Sequence, residues 1–412
     1  REGGPMTTAM EPSQAVFDLA DPAVHADPYP TYARMRAEAP VYRQEPYGVW
    51  WLFRHADCAE ALRNPRLGSP WGSPESIARK LGDGPAACYV GKAMLAHDPP
   101  EHTRLRRAVA RAFTPRAVEA MRPRVVDKVN RLLDEVTAGG RREFDLANEV
   151  AYRVPIGIVC ELIGVAPEHH DRFRSLIEEN AAVIEPLPTP EQVAMADKAS
   201  GELMDFVAAL AAERRAEPRD DLMSALVAPD GEAPSLTDEE LVANVALLIA
   251  AGFCSTMQLI GNSVLLLLRH PEQLEMVWTN PAMAPGAIEE TLRYEPPVMM
   301  WPRNVAADVE IGGVLLPAGA PVVSVIGAAN RDPDVFENPD VFDITRPAPP
   351  HLTFGGPIHY CLGASLARME SQVALVTILS RFPDLALASE KVEWLENNTV
   401  RGLKELRVTT GS

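Results

Sequence analysis

Residues 354 to 363 read Phe354-Gly355-Gly356-Pro357-Ile358-His359-Tyr360-Cys361-Leu362-Gly363. The stretch is a glycine-rich turn that delivers a cysteine to the start of an apolar helix, which we predict from about Leu362 to Ser380. The N-terminus of a helix carries partial positive charge and unpaired N–H groups, so it stabilises the thiolate form of a cysteine. Thiolate is the form that binds a metal ion. The pattern therefore indicates a metal-binding Cys361, although a lone cysteine at such a place is more often a buried structural residue.

The same segment resembles the signature of the cytochrome P450 family, F-G-x-G-x-H-x-C-x-G. The matching residues are Phe354, Gly355, His359, Cys361 and Gly363. Pro357 stands where the family has its second glycine, and proline fixes φ at about −65° and removes an N–H group. Gly356 beside it is available to absorb the turn. The resemblance implies a haem b cofactor whose iron is bound by Cys361, with Phe354, His359 and Gly363 among the cofactor contacts.

Glu290-Thr291-Leu292-Arg293 matches the E-x-x-R motif of this family. It places a carboxylate and a guanidinium on one helix face, where an ion pair by itself is commonplace and usually solvated. In the family the pair is buried and joins a later arginine, and Arg346 lies at the matching place in this chain. The resemblance therefore gives Glu290, Arg293 and Arg346 structural roles.

Four cationic side chains are candidates for binding the two haem propionates. Residues 98–107 open a predicted helix on which His102 and Arg106 share one face. Cationic donors of this kind suit carboxylate ligands. By resemblance we assign propionate contacts to His102 and Arg106, to Arg303 after the Glu-x-x-Arg helix, and to His359 before the cysteine.

A long apolar helix is predicted from a capping box at Thr237-Asp238-Glu239-Glu240 to Arg269. At 1.5 Å per residue it would be about 50 Å long, and the resemblance makes it the central helix that crosses over the haem. Its segment Ala250-Ala251-Gly252-Phe253-Cys254-Ser255-Thr256 aligns with the family's A-G-x-[DE]-T-[TS]. In relatives the acid and the threonine relay protons to iron-bound dioxygen. Here Cys254 replaces the acid and Ser255 replaces the threonine.

The catalytic candidates for proton delivery are thus Cys254, Ser255 and Thr256. A hydroxyl of Ser255 or Thr256 can pass a proton, whereas a neutral thiol is a weak donor. Our hypothesis is delivery through Ser255, water and a hydroxyl group of the bound substrate. The alternatives are a remote acid that reaches in, and altered oxygen activation with use of peroxide or an unusual oxidation.

The resemblance places the substrate pocket along mostly apolar segments. The pocket candidates are Leu247, Leu248, Ala251, Val298, Met299, Met300 and Val400. Small side chains at 250–252 leave room above the iron, so a bulky, largely hydrophobic substrate fits best. Methionines at this spacing are more often plain core. The similarity to actinobacterial tailoring members of the family suggests a polyketide, a macrolide or a peptide.

Arg104, Arg107 and Arg111 lie off the propionate face of their helix, and no acidic residue occurs between positions 104 and 116. Because the formal net charge of the chain is −18, a local basic patch would steer an acidic partner toward it. A solvated arginine face is about as common an explanation. The resemblance implies electrons from NAD(P)H through a ferredoxin reductase and a ferredoxin, and the patch is the candidate docking surface for the ferredoxin.

Composition and charge narrow the function classes. The acidic balance argues against a nucleic-acid binder, which needs a cationic face. The five cysteines form no C-x-x-C pair, which argues against a disulfide framework or a structural zinc site and favours a reducing cytoplasm. Asn244, Gln258 and Asn262 interrupt the most apolar stretch before it reaches the roughly 18 apolar residues that span a membrane. We expect a soluble, cytoplasmic protein with no membrane contact.

The resemblance extends from Asp27-Pro28-Tyr29 to the C-terminal strands, with four motifs in the family's order. It implies a mainly α fold with small β-sheets. Residues 13–412 are expected to form one haem-thiolate monooxygenase domain, and residues 1–12 a tag remnant and a disordered N-terminus. The expected reaction inserts one atom of O2 into a C–H or C=C bond. The alternative is a haem-binding member with degenerate oxygen chemistry that serves as a recruitment partner.

Overall fold

The structure is a computed structural model, and it describes residues 17–180, 183–228 and 236–411. The predicted tag remnant at 1–12 lies outside these ranges, and the single domain over 13–412 stays a prediction.

Helices dominate and the strands are short, as predicted. The helices are α1 (Pro22–Ala26), α2 (Tyr29–Glu38), α3 (His55–Arg63), α4 (Pro74–Leu81), α5 (Pro85–Lys92), α6 (Glu101–Val109), α7 (Pro115–Val136), α8 (Arg153–Ile163), α9 (His170–Glu179), α10 (Pro190–Ala216), α11 (Leu222–Val227), α12 (Asp238–Arg269), α13 (Pro271–Thr279), α14 (Ala284–Tyr294), α15 (Ile326–Ala329) and α16 (Ala364–Arg381). The strands are β1 (Val41–Gln44), β2 (Val49–Leu52), β3 (Leu67–Gly68), β4 (Glu143–Asp145), β5 (Met300–Val305), β6 (Val309–Ile311), β7 (Val314–Leu316), β8 (Pro321–Val325), β9 (Ala386–Leu387) and β10 (Arg407–Thr409).

Strands from distant parts of the chain form one five-stranded sheet, in the order β1-β2-β8-β5-β3. Strand β2 runs parallel to β8, with Trp51 opposite Val323. Strand β5 runs antiparallel to β8, with Met300 opposite Val325. Smaller sheets have the orders β4-β10-β9 and β6-β7. The large sheet thus fixes β5, which contributes to the wall of the cavity described below.

The long helix α12 begins as the sequence predicts. Thr237 and Glu240 form both bonds of the capping box: the Thr237 hydroxyl accepts from the Glu240 N–H at 3.2 Å, and the Thr237 N–H donates to the Glu240 carboxylate at 2.8 Å. The helix runs for 32 residues to Arg269, and Pro271 starts α13. At 1.5 Å per residue it is about 48 Å long.

Three amide side chains pin α12 to its surroundings. Asn244 accepts from the N–H of Met94 at 2.8 Å, Gln258 accepts from the N–H of Leu403 at 3.1 Å, and Asn262 donates to the carbonyl of Arg401 at 3.2 Å. These are the polar residues that interrupt the apolar pattern in the sequence. By length and composition α12 is the one helix in the described part of the chain that could cross a membrane, and 67% of its most apolar window is buried within the fold.

Two hydrophobic clusters meet along α12. Its first half, with Ile249 and Phe253, packs in a cluster with residues of α5, α9 and α10. Its second half, with Leu259 and Val264, packs in a cluster with residues of α7, α14 and α16. Cys254 lies close to the point at which one cluster gives way to the other. The cavity opens at this junction.

Candidate active site

A cavity of about 1130 Å³ lies between the middle of α12 and the segment 353–363, which we call the cysteine loop. The α12 wall runs from Leu247 to Leu259, and the cysteine loop contributes Phe354, His359 and Cys361. Pockets for single small ligands usually measure about 300–1,000 Å³. The space therefore exceeds what one small ligand fills, and it suits a cofactor together with a substrate.

The two adjacent glycines of the cysteine loop meet different steric demands. Gly355 adopts a φ of 78°, in the left-handed region that favours glycine. A Cβ at Gly356 would lie 2.4 Å from the carbonyl oxygen of Leu62 in α3. The N–H of Cys361 donates to the carbonyl of Phe354 at 2.9 Å and closes the turn. These contacts define the path of the chain up to the cysteine.

Helix α16 begins at Ala364, with Gly363 as its N-cap. The helix therefore begins two residues later than the predicted start at about Leu362, and Cys361 precedes it, as predicted. Pro357, at the place of the family's second glycine, is exposed. Because Gly355 supplies the positive φ and Gly356 the close approach to α3, position 357 needs neither property. The loop thus accommodates a proline there.

The surroundings of the Cys361 thiol act on its pKa in opposite directions. Burial raises the pKa, whereas the N–H of Gly363 and the positive charges of Arg106 and Arg368 lower it. The net direction is upward. A bound metal cation would act with the lowering groups, because coordination deprotonates a thiol.

Three of the four predicted propionate contacts line the cavity, namely His102, Arg106 and His359. The rings of His102 and His359 are 4.3 Å apart. Arg106 donates to the carbonyl of Tyr360 at 2.7 Å and so ties α6 to the cysteine loop. Burial, together with the positive charges of His359 and Arg106, lowers the pKa of His102 to about 4. The ring of His102 is therefore neutral near pH 7.

Asp98 is a carboxylate in the same cluster that the sequence analysis did not assign. It accepts from the N–H of Ser69 at 3.0 Å, and His359 Nε2 lies 3.5 Å from its other oxygen. The hydrogen bond with His359 is the largest of the influences that lower the pKa of Asp98. An aspartate just before Pro99-Pro100, at the start of a predicted helix, was the available signal.

Arg303, the fourth predicted propionate contact, does not line the cavity. It is 6% exposed, and its guanidinium donates to the carbonyl of Pro302 at 3.0 Å. Burial lowers the pKa of Arg303 to about 10, and the charge of Asp98 opposes that change. The negative charge of Asp98 therefore acts on Arg303 as well as on His359, so the group of basic side chains includes one carboxylate.

On the α12 wall, Cys254 and Ser255 face the cavity. Burial, and then the negative charge of Glu178, raise the pKa of Cys254 to about 11, so this thiol stays protonated at neutral pH. Thr256 is buried and donates to the carbonyl of Gly252 in its own helix at 3.4 Å. Within the described residues, the Ser255 hydroxyl has no protein hydrogen-bond partner. Thr256 also lines the cavity, but its hydroxyl is bonded within the helix, so of the two hydroxyl groups that of Ser255 is the more available to a ligand or to water.

Six of the seven predicted pocket residues line the cavity. They are Leu247, Leu248, Ala251, Val298, Met300 and Val400. Met299 does not: it is 2% exposed and packs with Tyr32 and Met35 in the N-terminal cluster. The chain is extended here, since Val298 bridges to Val400, and alternate residues of an extended chain point to opposite sides. Met299 is therefore a core residue.

The Glu-x-x-Arg motif is fully buried. Glu290 and Arg293 are 1% and 0% exposed and form two hydrogen bonds, at 2.6 Å and 2.8 Å. Arg346 Nε lies 3.4 Å from the Glu290 carboxylate, and the N–H of Asp343 donates to that carboxylate at 3.0 Å. Arg293 also donates to the carbonyl of Val341 at 3.0 Å. The motif thus joins α14 to the segment that precedes the cysteine loop.

The three arginines of the predicted docking patch differ in their surroundings. Arg104 is paired with two carboxylates: it donates to Glu101 at 3.1 Å and to Glu240 of α12 at 2.5 Å. The two carboxylates balance the positive charge of Arg104, so Arg104 does not add to the positive charge of the predicted docking patch. Arg107 and Arg111 are exposed. The acidic partners of Arg104 come from outside the acid-free stretch on which the prediction was based.

Sequence reasoning also missed Arg368 in α16, which braces the cysteine loop. Its guanidinium lies 4.4 Å from the centre of the Phe354 ring and donates to the Tyr360 hydroxyl at 3.3 Å. It also donates to Glu289 at 2.6 Å. Burial would raise the pKa of Glu289, but hydrogen bonds from His351 and Arg368 lower it to about 2. The only sequence signal was that Glu289 adjoins the Glu-x-x-Arg motif.

Comparisons with known proteins agree with this architecture. The cytochrome P450 family matches residues 81–280 and 282–405. Cytochrome P450 107B1 of Saccharopolyspora erythraea is 41% identical over 99% of this chain and 100% of its own length. The 6-deoxyerythronolide B hydroxylase of the same organism is 37% identical over 95% of this chain and 98% of its own.

A solved structure extends the agreement to three dimensions. It is the crystal structure of P450BioI in complex with an acyl carrier protein ligated to hexadec-9Z-enoic acid, which has a TM-score of 0.88 and 34% identity. The match covers 94% of this chain and 99% of that one. The mainly helical fold with small sheets is therefore the cytochrome P450 fold. The chain belongs to the cytochrome P450 family, and it is a cytochrome P450 monooxygenase, for which the family implies a haem cofactor.

Proposed function

We propose that this chain is a soluble, cytoplasmic haem-thiolate monooxygenase that inserts one atom of O2 into a C–H or C=C bond of a bulky, largely apolar natural product. One observation carries the proposal. A single cavity of about 1130 Å³ has the Cys361 thiol on the cysteine-loop side and the small residues Ala250, Ala251 and Gly252 on the α12 side. Such a space offers both a metal ligand and room for a large substrate beside it.

The residues present fit a haem b group. A Cβ at Gly363 would meet no protein atom within 4 Å, so the space beside the cysteine is open. In the proposed assignment Cys361 would bind the iron, and Phe354 and Gly363, which also line the cavity, would be among the residues that contact the group. The family and the open space together support this choice.

The cationic cluster provides the partners for the two carboxylates of the haem. We assign the propionates to His102, Arg106 and His359, all of which line the cavity. Arg303 is assigned a supporting part through Asp98, whose charge acts on it. A charge-assisted hydrogen bond between a guanidinium and a carboxylate is about twice as strong as a neutral one, so Arg106 is the principal anchor.

When bound, the haem activates dioxygen with two electrons and two protons, so that one oxygen atom enters the substrate and the other leaves as water. The sulfur of Cys361 would be held as thiolate by a bound iron, and the N–H of Gly363 and the charge of Arg106 favour that form against the effect of burial. Ser255 Oγ passes protons to the reacting oxygen through cavity water and a hydroxyl group of the substrate. The apolar wall excludes further water from the reacting carbon.

The proposed substrate is a polyketide, a macrolide or a peptide. The cavity is lined largely by apolar side chains such as Leu247, Leu248, Val298 and Val400, and apolar walls select ligands by shape and hydrophobic burial. A relative that matches nearly the full length is named as the hydroxylase of 6-deoxyerythronolide B. This similarity supports a large natural product over a small metabolite.

Electrons are proposed to come from NAD(P)H through a ferredoxin reductase and a ferredoxin. Arg107 and Arg111 are exposed on the helical segment that Arg106 ties to the cysteine loop. Ile358 and Tyr360 of the loop are also exposed, at 37% and 40%. Basic and apolar groups around the cysteine loop suit an acidic iron–sulfur protein. Arg104, which is less exposed and is tied to Glu240 of α12, is left out of this surface.

One observation favours a second candidate function. Cys254 carries a protonated thiol where the family's pattern has a carboxylic acid. A member with this change would use peroxide, perform an unusual oxidation, or act as a catalytically degenerate recruitment partner. Product formation with hydrogen peroxide alone, in the absence of NAD(P)H, would favour this candidate.

The test begins with the purified holoenzyme. The carbon monoxide difference spectrum of the reduced protein should show the Soret band of a thiolate-ligated haem, and Cys361→Ser should lose that band. Compounds of the polyketide, macrolide and peptide classes are then screened for a low-to-high spin shift, and those that bind are incubated with NADH and a surrogate ferredoxin and reductase. A Soret band typical of thiol-ligated haem in the unmodified enzyme, or no oxygenated product from any binder, would overturn the proposal.

A further inference from the structure

We propose that Glu178 of α9 supplies the carboxyl group that α12 lacks, passing protons from solvent through cavity water to the hydroxyl of Ser255. The inference rests on the proposed oxygen chemistry and deepens it by naming the acid. In the family's pattern the acid lies on the long helix, here α12. The inference assigns its part in proton transfer to a positioning residue on a different helix, α9.

Glu178, Cys254 and Ser255 line the same cavity. Glu178 lies in the last turn of α9, and the other two lie in the middle of α12. The negative charge of Glu178 is the one charge that acts on the pKa of Cys254, after burial. The charge that acts at the missing acid position is therefore that of a carboxylate on a different helix.

An arginine and two rings connect Glu178 with the residue next to Cys254. Arg174 donates to the Glu178 carboxylate at 2.9 Å, and its guanidinium lies 4.5 Å from the centre of the Tyr152 ring. The Tyr152 ring packs edge-on against Phe253, with centres 5.7 Å apart. Contacts of this kind restrict the side chain of Arg174, so the carboxylate that it holds keeps a defined place at the cavity.

The polar lining continues beyond this ion pair. Arg174 also donates to the Asn148 side chain at 2.6 Å, and Asn148 and Arg174 both line the cavity. The Glu178 side chain is 63% exposed and that of Arg174 is 31% exposed. Glu178 can therefore exchange protons with solvent, as a group that passes two protons in each turnover must. Cavity water then has polar partners on the way to α12.

An exposed ion pair of this spacing is common and stabilises a protein by less than about 1 kcal/mol. What distinguishes Arg174 and Glu178 is that the pair faces the cavity and acts on Cys254. Glu119 and Arg122 of α7 form a similar pair at 2.6 Å, with the Glu119 side chain also 63% exposed. Glu119 is not among the residues that line the cavity. It provides the matched control.

The proposed reaction balances in atoms, electrons and protons. Insertion of one oxygen atom into the substrate consumes one O2, two electrons from ferredoxin and two protons, and releases one water. The Glu178 carboxylate takes up each proton from solvent and releases it to a cavity water, so the residue returns to the carboxylate that is paired with Arg174. Ser255 Oγ accepts one proton and donates another, and Cys254 keeps its own.

The first experiment tests whether the Glu178 carboxylate acts at Cys254, and it does not depend on catalytic turnover. The rate of alkylation of Cys254 by iodoacetamide is followed at peptide level in the holoenzyme at pH 8. Glu178→Gln should make it roughly threefold faster, because loss of the nearby negative charge increases the thiolate fraction, and Glu119→Gln should leave it unchanged. An unchanged rate in Glu178→Gln would show that the carboxylate does not act at Cys254 and would overturn the proposal.

The second experiment measures proton delivery without an organic substrate. The reduced holoenzyme, supplied with NADH, surrogate ferredoxin and reductase, reduces O2 either to hydrogen peroxide, at one NADH per O2, or to water, at two NADH per O2. Water formation needs two further protons, so Glu178→Gln should shift the ratio toward one. Adding Cys254→Glu to that variant restores an acid on α12 and should return the ratio toward that of the unmodified enzyme.

The outcomes separate this inference from the proposed function. If the unmodified enzyme consumes neither NADH nor O2, the oxygen chemistry fails, and the alkylation rates still decide where Glu178 acts. If the unmodified enzyme turns over and Glu178→Gln has the same NADH:O2 ratio as Glu119→Gln, the proton relay is wrong and the oxygen chemistry stands.

Discussion

Arg106 donates a 2.7 Å hydrogen bond to the main-chain carbonyl of Tyr360, the residue immediately before Cys361. One guanidinium thus fixes the cysteine loop from α6 and also faces the cavity beside His102 and His359. Its positive charge is among the influences that lower the pKa of the Cys361 thiol. Arg106 therefore couples the position of the metal ligand to the cationic edge of the site.

Replacement of Arg106 by lysine should weaken haem binding, since an ammonium group cannot donate to Tyr360 and to a carboxylate with the geometry of a guanidinium. We expect an increase of about 10–100-fold in the rate of haem loss, the usual cost of removing a group that supports a metal ligand. Transfer of haem to an excess of apomyoglobin measures this rate. Arg122→Lys, at an exposed position in α7, is the control, and equal rates in the two variants would contradict the assignment.

Two glycines of the cysteine segment should respond differently to alanine. In Gly356→Ala the new Cβ would lie 2.4 Å from the carbonyl oxygen of Leu62, so α3 or the loop must move. Overpacking of this kind costs about 1–3 kcal/mol. In Gly363→Ala the new Cβ would meet no protein atom within 4 Å. We therefore expect, in the haem-free protein, a lower free energy of unfolding for Gly356→Ala and an unchanged one for Gly363→Ala.

Measurement of urea unfolding tests that pair, and the carbon monoxide spectrum adds a second reading. If the open space beside Gly363 is where the haem lies, Gly363→Ala should change the Soret band or the haem content although the fold is intact. A fully normal spectrum together with normal haem content in Gly363→Ala would mean that the space belongs to something else.

The sequence predicts the local features of this molecule well. The capping box of α12, the pairing of Glu290 with Arg293 one turn later, and the turn at Cys361 all depend on residues that are close in the chain. The burial of the Glu290–Arg293 pair was implied only by the family resemblance, because local spacing alone favours a solvated pair. Periodicity and cap chemistry act over one or two helical turns. Such features can therefore be derived without knowledge of the fold.

What the sequence could not give are contacts between distant segments. Arg104 meets Glu240, which is 136 residues away, and this pair removes one charge from the predicted docking patch. Asp98 meets His359 across 261 residues and places a carboxylate in the cluster of cations. An acid-free stretch of sequence says nothing about acids that another helix brings to it. The direction of Met299 likewise depends on pairing with a segment a hundred residues later.

Removal of the Glu290 carboxylate should destabilise the protein strongly. Arg293 is 0% exposed and donates twice to Glu290, so Glu290→Ala leaves a buried guanidinium without its counter-charge. Breaking a buried pair in this way costs about 3–5 kcal/mol. Thermal unfolding of the holoenzyme measures the loss. Adding Arg293→Met to Glu290→Ala should recover part of the stability, and a double variant less stable than Glu290→Ala would contradict the explanation.

Glu370 in α16 should make stability depend on pH in an unusual direction. The side chain is 1% exposed, and its Oε2 has no hydrogen-bond partner. Burial raises the pKa of Glu370 to about 8, whereas an unfolded glutamate titrates near pH 4.3. Between these values the folded protein keeps the proton and the unfolded chain releases it. The free energy of unfolding should therefore fall as pH rises, by up to about 1.4 kcal/mol per pH unit.

Glu370→Gln keeps the shape of the protonated carboxyl group and cannot ionise, so the midpoint of thermal unfolding should decrease less between pH 5 and 8 than in the unmodified protein. Glu119→Gln is the control, because its hydrogen bond to Arg122 lowers the pKa of Glu119. The contribution of Glu119 is thus lost only at pH values below that window, and its variant should retain the slope of the unmodified protein. If Glu370→Gln also retained that slope, the carboxyl group of Glu370 would have to be ionised within the fold, with a partner for its charge.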